Sequence, residues 1–393
     1  MKIISVNAGS SSLKFQLLSM PSEETITSGI VERIGDENGI FTIKVEGKKI
    51  VKELPIPTHN VAVDLVLAAL LDLKILSSFD EIEGVGHRVV QGGELFKDSA
   101  VVNDDVIKRI ESLSDLAPLH NPANIIGIKA FMKVLPKVPH VVVFDTTFHS
   151  SMTDEAFMYA TPYSWYQNYG VRKYGFHGTS HQYVSERAAA ILKRDDLKVV
   201  VCHIGNGASL CAIKNGKSVD TSMGLTPLEG IPMGTRSGNV DPAVIELIKQ
   251  KEGLTVEEII SALNKKSGYL GVSGISHDSR DIEDAYVEGN KRAELTLAIQ
   301  TKRIADYIGS YYVYMGGLDA LCFTAGIGEN SSYLRKMVCE RLGVLGVKLD
   351  DQINSSVRGK ECLISSEDSK VAVYIIPTNE EVMIAREVMR FIK

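Results

Sequence analysis

The sequence lacks a strong charge of either sign. Its 393 residues carry a formal net charge of -6 at pH 7, and 44% of them are hydrophobic. A basic surface that would bind nucleic acid or an anionic membrane is therefore not expected. The length and the apolar content are enough for two domains that each have a core.

Paired cysteines are also absent. The five cysteines form no Cys-x-x-Cys motif, and three of them lie in apolar runs typical of buried strands or helices. The N-terminal segment MKIISVNAGSSS has only a short apolar stretch, which fits neither a signal peptide nor a membrane span. We therefore expect a reduced cytoplasmic protein without a membrane partner.

The common nucleotide-binding motifs are missing as well. Neither G-x-x-x-x-G-K-[ST] nor G-x-G-x-x-G occurs, so a nucleotide must be held in another way. Several short turns of Gly, Ser and Asn follow predicted strands, and their bare backbone N–H groups could approach phosphate oxygens. For any single turn, a hairpin that simply needs glycine is the alternative.

A strand–turn–strand pattern occurs twice, about half a chain apart. It comprises strands 2–6 and 14–18 around turn 7–12, and strands 199–203 and 210–213 around turn 205–209. This repeat predicts a duplicated α/β protein. We place the domain boundary near Ser150. Residues 1–150 and a C-terminal helix over 381–393 would form the first domain, and residues 151–380 the nucleotide-binding second domain.

Hydrophobic periodicity predicts the remaining elements. Helices are expected over 61–76, 183–194, 242–250, 256–265 and 381–391, with two more within 282–315, and strands over 140–145, 318–325 and 371–376. The last two strands run into polar turns at 326–330 and 377–380. Ligand sites commonly lie at such strand ends.

Cationic and oxygen-bearing side chains also stand at these turns. The cations are Lys14, Arg88, Arg236 and Arg280, and the oxygen donors suited to Mg²⁺ are Asn7, Asp145, Glu329, Glu380 and Glu381. Arg236 is favoured because the small residues around it leave its planar guanidinium accessible to phosphate or carboxylate. Ordinary solvated side chains are the alternative for most of them.

His177 and His181 have the spacing at which a helix presents two zinc ligands. However, Gly178, Thr179 and Ser180 resemble a turn and a helix cap, which predicts that the two imidazoles lie on different elements. A zinc site is therefore disfavoured.

Six segments together resemble the acetate kinase family, and the match extends from end to end. They are Asn7–Lys14, Gly86–Val90, Phe176–His181, His203–Gly207, Met233–Gly238 and Gly326–Asn330. The resemblance implies two duplicated ribonuclease H-like α/β domains flanking a nucleotide cleft, as in actin and hexokinase. It also implies a homodimeric enzyme that transfers the γ-phosphoryl of ATP to acetate reversibly, giving acetyl phosphate and ADP, with Mg²⁺ or alternatively Mn²⁺.

The resemblance further implies individual roles. Asn7 and Glu380 would hold the metal, Asp145, His177 and Arg236 would serve catalysis, and Arg88, Val90, Leu119 and Pro227 would bind the acid. The residues implied for ATP are Ser10, Ser12, Lys14, His203, Ile204, Gly205, Asn206, Gly207, Asp278, Ser279, Arg280, Gly326, Ile327, Gly328, Glu329 and Asn330. Gln91 stands where the family usually has histidine, which leaves the preference among short acids open.

The chemistry itself needs no general base. A carboxyl group with a pKa of roughly 4 to 5 is already ionised at neutral pH. Bringing this anion to the γ-phosphoryl requires positioning and positive potential. We expect Arg88 to bind the carboxylate, Arg236 and His177 to contact the transferred phosphoryl, and Asp145 to orient Arg236 or metal-bound water.

The sequence by itself is also compatible with three other functions. A propionate or butyrate kinase would use the same chemistry with a larger pocket. An actin-like or chaperone-like ATPase would have no small acceptor, and a regulatory protein would bind nucleotide without turnover.

Overall fold

The structure is a computed structural model that describes residues 1–118 and 120–392. The chain divides into two compact units. The first comprises Met1–Thr147 and Asn379–Lys393, and the second comprises Phe148–Thr378.

The first unit contains one mixed sheet of eight strands. They are β1 (Lys2–Ala8), β2 (Ser12–Ser19), β3 (Glu24–Glu32), β4 (Gly39–Val45), β5 (Lys48–Leu54), β6 (Ile82–Val89), β7 (Ala100–Val101) and β8 (His140–Phe144). Their spatial order is β5-β4-β3-β2-β1-β6-β8-β7. Strands β1, β6 and β8 run parallel, whereas β2 and β3 continue the sheet as an antiparallel meander.

The second unit contains a sheet of six strands. They are β9 (Lys198–Ile204), β10 (Ala208–Lys214), β11 (Lys217–Thr221), β12 (Ala320–Thr324), β13 (Cys362–Leu363) and β14 (Ala372–Ile375). Their order is β11-β10-β9-β12-β14-β13, and β9, β12 and β14 run parallel. The series β3-β2-β1-β6-β8 and β11-β10-β9-β12-β14 have the same order and strand directions. The predicted α/β duplication is therefore confirmed, and both predicted hairpins form.

Helices surround the two sheets. They are α1 (His59–Asp72), α2 (Asp104–Ser112), α3 (Asn121–Val134), α4 (Asp154–Phe157), α5 (Tyr163–Tyr169), α6 (Gly178–Leu192), α7 (Ala243–Glu252), α8 (Val256–Lys265), α9 (Gly268–Ser273), α10 (Ser279–Val287), α11 (Lys291–Met315), α12 (Ala325–Asn330), α13 (Ser332–Arg341), α14 (Asp351–Ser356) and α15 (Glu380–Ile392). Of the helices in the described residues, none is long and apolar enough to cross a membrane.

The two helices predicted within 282–315 are α10 and α11. Gly289, with φ of 85°, provides the left-handed backbone at the break between them. The side chain of Asn290 then caps α11 by accepting hydrogen bonds from the backbone N–H groups of Arg292 and Ala293. Glycine and asparagine therefore set this boundary locally.

Helix α15 packs directly against β6 in the first unit. A Cβ at Gly86 would overlap Ile384, and a Cβ at Gly84 would overlap Val388, so the two glycines allow the close approach. Because Gly86 lies near Ile384 and Gly84 near Val388, the helix runs antiparallel to the strand. The N-terminus of α15, which carries Glu380, therefore lies towards the carboxyl end of β6.

Two local predictions were wrong. Residues 178–180 are not a turn but the first turn of α6, which begins after His177 adopts a left-handed backbone with φ of 59°. Residues 326–330 are likewise helical, within α12, and Ala325 at the start of that helix has φ of 63°. Such backbone values are uncommon for residues other than glycine and concentrate at functional sites.

Candidate active site

Arg88 and Asp145 meet at the carboxyl ends of β6 and β8. These strands are parallel neighbours, so the residues at their ends lie side by side. Nε of Arg88 donates to Oδ1 of Asp145 at 2.8 Å, and Nη2 donates to Oδ2 at 2.6 Å. Burial opposes the charge on Arg88, but Asp145, followed by Glu380 and Glu381, raises the pKa of the guanidinium above its ordinary value. The first unit thus presents a fixed cation.

Carboxylate and amide groups lie near this cation. Asn7 of β1 is paired in register with Lys14 of β2, and Glu380 and Glu381 form the first turn of α15. Burial, and then the charge of Glu380, raise the pKa of Glu381, whereas Lys14 and Arg88 oppose this shift. The two adjacent carboxylates, Glu380 and Glu381, favour the binding of a metal cation. The oxygen donors fit Mg²⁺, which is usually bound by one or two protein carboxylates, water and substrate phosphates.

Of the residues predicted to bind the acid, Val90 belongs to the first unit and Pro227 to the second. Val90 directly follows β6, is only 7% exposed, and its N–H donates to Oδ1 of Asn124 at 3.2 Å. Gln91 is buried, and its Oε1 accepts a hydrogen bond from the N–H of Gly93. Pro227 is partly buried in the second unit. Leu119 lies outside the described residues.

Three histidines converge around Ser209 in the second unit. The Ser209 hydroxyl lies 2.9 Å from Nδ1 of His177 and 2.8 Å from Nε2 of His181. The His177 ring also stacks on His203, with centroids 4.1 Å apart. The sequence predicted that the two imidazoles lie on different elements. His177 is the N-cap residue just before α6 and His181 lies within α6, yet both rings contact one hydroxyl. In residues 1–118 and 120–392, no three His, Cys, Asp or Glu side chains group as a metal site.

Arg236 and His177 both face the glycine turn between β9 and β10. A Cβ on Gly207 would lie 3.4 Å from Nη1 of Arg236 and 3.8 Å from Nε2 of His177. Gly234, two residues before Arg236, donates its N–H to the carbonyl of Asn206 at 3.1 Å. Burial lowers the pKa of Arg236. The structure therefore brings a cation, an imidazole and a bare glycine turn together.

A pocket of about 940 Å³ adjoins the same turn. Eight of the residues predicted to bind ATP line it: Gly205, Asn206, Asp278, Ser279, Arg280, Gly326, Ile327 and Asn330. The volume suits a nucleotide-sized ligand. Seven other lining residues were not predicted from the sequence: Glu283, Asp284, Val287, Glu288, Ser331, Tyr333 and Arg358. The helical periodicity of 282–315 could have indicated that Glu283 and Val287 share a face, but not that this face lines a pocket.

The other residues predicted to bind ATP are not among those that line this pocket. Gly328 accepts a hydrogen bond from the buried Arg335 at 2.9 Å, and the Glu329 carboxylate accepts one from the N–H of Thr378 at 3.2 Å. Burial raises the pKa of Glu329. These contacts hold α12, whose residues Gly326, Ile327 and Asn330 line the pocket. His203, Ile204 and Gly207 belong to β9 and its turn, whereas Ser10, Ser12 and Lys14 belong to the first unit.

Comparison with known proteins gives the family. The model of the acetokinase family matches residues 2–386. The chain belongs to the acetokinase family. An acetate kinase of Acholeplasma laidlawii is 65% identical over 391 residues, which cover 99% of each chain.

Solved structures of the acetokinase type have the same fold. The chain matches the crystal structure of Porphyromonas gingivalis acetate kinase with a TM-score of 0.96 and 46% identity, covering 100% of both chains. It matches a propionate kinase of Francisella tularensis with a TM-score of 0.94 and 42% identity over 99% of both chains. The fold is therefore the two-domain, duplicated actin/hexokinase type, and the chain is a phosphotransferase with a carboxyl acceptor.

Proposed function

We propose that this chain transfers the γ-phosphoryl of ATP reversibly to acetate, giving acetyl phosphate and ADP. The observation that carries the proposal is that Arg236 and His177 face the turn whose Gly205 and Asn206 line the nucleotide-sized pocket. A phosphoryl group at this turn would meet a guanidinium and an imidazole. The 65% identity to an acetate kinase supports acetate as the acceptor.

The second unit is assigned to the nucleotide and the transferred group. Asp278 caps the N-terminus of α10 by accepting the N–H of Arg280, and this fixes one wall of the pocket. Arg236 and His177 would donate hydrogen bonds to the equatorial oxygens of the phosphoryl group, where charge must be stabilised in the transition state. Pro227 supports Arg236, because its carbonyl accepts from Nη1 at 3.4 Å.

The first unit is assigned to the acid. The ion pair with Asp145 occupies Nε and Nη2 of Arg88, so Nη1 lies outside it and can donate to the substrate carboxylate. Asp145 pairs with Arg88, whereas Arg236 or metal-bound water was expected from the sequence. Asp145 would therefore act as a positioning residue that fixes the plane of the acid-binding guanidinium.

The metal is assigned to oxygen ligands of the first unit. Asn7 and Glu380 would hold Mg²⁺, or alternatively Mn²⁺, and the buried Glu381 would add negative charge beside them. When bound, the metal would neutralise charge on the nucleotide phosphates.

Propionate is the second candidate acceptor. The 42% identity to a propionate kinase is the reason to test propionate as an acceptor. We expect Val90 to contact the alkyl end of the acid and so to limit its chain length. We further propose that the enzyme is a cytoplasmic homodimer, as the family resemblance implies. Light scattering coupled to size exclusion would test the dimer.

The function is tested by initial rates with acetate, propionate and butyrate in the presence of ATP and Mg²⁺. We expect acetate to give the highest kcat/KM. Arg236→Ala should lose on the order of 2 to 4 kcal/mol of transition-state stabilisation, as the loss of an oxyanion donor does. Arg303→Ala, which removes a half-exposed arginine of α11, is the matched control. Near-wild-type kinetics in Arg236→Ala would remove Arg236 from the mechanism.

A further inference from the structure

The hydrogen bonds around Ser209 constrain where the His177 proton can lie. A serine hydroxyl has one proton and two lone pairs, so it can donate to one of two neighbouring imidazoles while it accepts from the other. If the fully buried Ser209 accepted from both rings, its own proton would have no acceptor among the described residues. The two ring atoms concerned are Nδ1 of His177 and Nε2 of His181. The chain of hydrogen bonds can therefore run in either of two directions.

The environment of His181 decides between the directions. His181 is fully buried, and its Nδ1 has no hydrogen-bond partner. If Ser209 donated to Nε2 of His181, a neutral His181 would carry its proton on Nδ1 as a buried, unpaired N–H. Orphaned buried N–H groups are rare in native structures. If Nε2–H of His181 donates instead, Nδ1 is only an unused lone pair.

The direction of these hydrogen bonds determines the protonation state of His177. His181 donates to Ser209, Ser209 donates to Nδ1 of His177, and the proton of a neutral His177 must then lie on Nε2. This is the nitrogen that faces the Gly207 turn and Arg236.

Two further features favour neutral rings. His177 stacks on His203 with an interplanar angle of 20°, and two stacked imidazolium ions would repel each other. Burial, followed by the neighbouring His149 and His203, lowers the pKa of His181 well below its ordinary value. His181 therefore remains neutral near pH 7.

We propose that Ser209 and His181 are positioning residues that hold His177 in the neutral tautomer with its proton on Nε2, aimed at the transferred phosphoryl group. The link to phosphoryl transfer rests on the function proposed above. In this arrangement His177 contributes an oriented N–H dipole, and the positive charge at this turn comes from Arg236.

The tautomer is tested directly by ¹⁵N NMR of the full chain labelled with [¹⁵N]histidine, with His177→Asn and His181→Gln used to assign the signals. At neutral pH we expect His177 to have a protonated Nε2 and an unprotonated Nδ1. Ser209→Ala should abolish this preference. A His177 imidazolium, a proton on Nδ1, or a tautomer unchanged in Ser209→Ala would overturn the proposal.

Kinetics provide the second readout. Ser209→Ala should lower kcat about ten- to hundredfold, as the loss of an orienting partner does, while the KM values for ATP and acetate change less. His181→Gln keeps an amide N–H donor and should recover much of the kcat that His181→Leu loses. In a His177→Ala background, Ser209→Ala should lower kcat no further. An equal loss in that background would show a merely structural role.

Ser218→Ala is the matched control. It removes another buried serine–histidine hydrogen bond, between Ser218 Oγ and Nδ1 of His149 at 2.8 Å, which is not one of the hydrogen bonds of Ser209. It should lower stability but leave the His177 signals unchanged. The NMR result also separates this proposal from the function. If the chain failed to phosphorylate acetate yet showed the expected tautomer, the proposed function would be wrong, but the proposed role of Ser209 and His181 in fixing the His177 tautomer would be confirmed.

Discussion

Arg88 and Asp145 form a two-point ion pair, with Nε–Oδ1 at 2.8 Å and Nη2–Oδ2 at 2.6 Å. The Asp145 side chain is only 1% exposed, so the ion pair with Arg88 offsets part of the cost of burying its negative charge. Loss of Arg88 should therefore affect both catalysis and stability.

Arg88→Ala is expected to lower kcat/KM for acetate by on the order of 2 to 4 kcal/mol in transition-state stabilisation. It should also destabilise the fold by about 3 kcal/mol, because the buried Asp145 carboxylate loses both hydrogen bonds from Arg88. The double variant Arg88→Ala/Asp145→Asn should regain much of the stability but not the activity. Recovery of activity in the double variant would show that Arg88 serves only to neutralise Asp145.

Val90→Ala tests the apolar wall of the acid pocket. Removing bulk beside the methyl group should shift the ratio of kcat/KM values towards propionate by about tenfold or more, since one methylene is worth roughly 1 to 3 kcal/mol in such a pocket. Val89→Ala, a neighbouring fully buried residue, is the control and should leave the ratio unchanged. An unchanged ratio in a folded Val90→Ala would make Val90 a packing residue.

Gly234→Ala tests the support of the nucleotide turn. The added Cβ would overlap Oδ1 of Asn206 and approach the carbonyl of His277 to 3.0 Å, so the turn must shift. We expect KM for ATP to rise about tenfold or more, since a displacement of ~1 Å can lower activity a hundredfold. Gly309→Ala, in α11 with nothing within 4 Å of its new Cβ, is the control. Equal KM values for the two variants would contradict the role of Gly234.

The sequence predicted the parts of the fold that depend on local patterns. Both hairpins, the buried strand at 140–144 and helix α8 follow from periodicity and turn residues. The starts of α6 and α12 could not be predicted, because His177 and Ala325 adopt left-handed backbone that neither residue favours. Tertiary packing imposes these conformations.

The site was predicted unevenly for a similar reason. Residues in glycine turns, such as Gly205 and Asn206, were found because the turns are visible in the sequence. The pairing of Arg88 with Asp145 was missed because it depends on β6 and β8 being neighbours in the sheet. Glu283, Asp284 and Val287 of α10 were missed for the same reason, since only the fold shows which helix face lines the pocket.

His149 predicts a pH dependence of stability. Burial lowers its pKa from 6.5 to about 4 in the folded chain, although its hydrogen bond to the Phe176 carbonyl opposes the shift. As the pH falls, the unfolded chain therefore binds this proton at a higher pH than the folded chain does. The contribution of His149 to the free energy of unfolding is fully present above pH 6.5 and is lost as the pH falls towards 4. The contribution is about 3 kcal/mol.

The measurement is the urea midpoint at pH 7 and pH 5. His149→Gln should narrow the difference between the two midpoints, whereas the same change at the exposed His277 should not. An undiminished difference in His149→Gln would assign the acid sensitivity to other groups.

Phosphoryl transfer to acetate is tested most directly by trapping acetyl phosphate. The chain is incubated with ATP, Mg²⁺ and acetate in the presence of hydroxylamine, and the acetyl hydroxamate and ADP are both quantified. We expect equal amounts of the two products, both dependent on acetate and both strongly reduced in Arg236→Ala. Release of ADP at the same rate without acetate, with no hydroxamate formed, would contradict it and indicate an ATPase without a small acceptor.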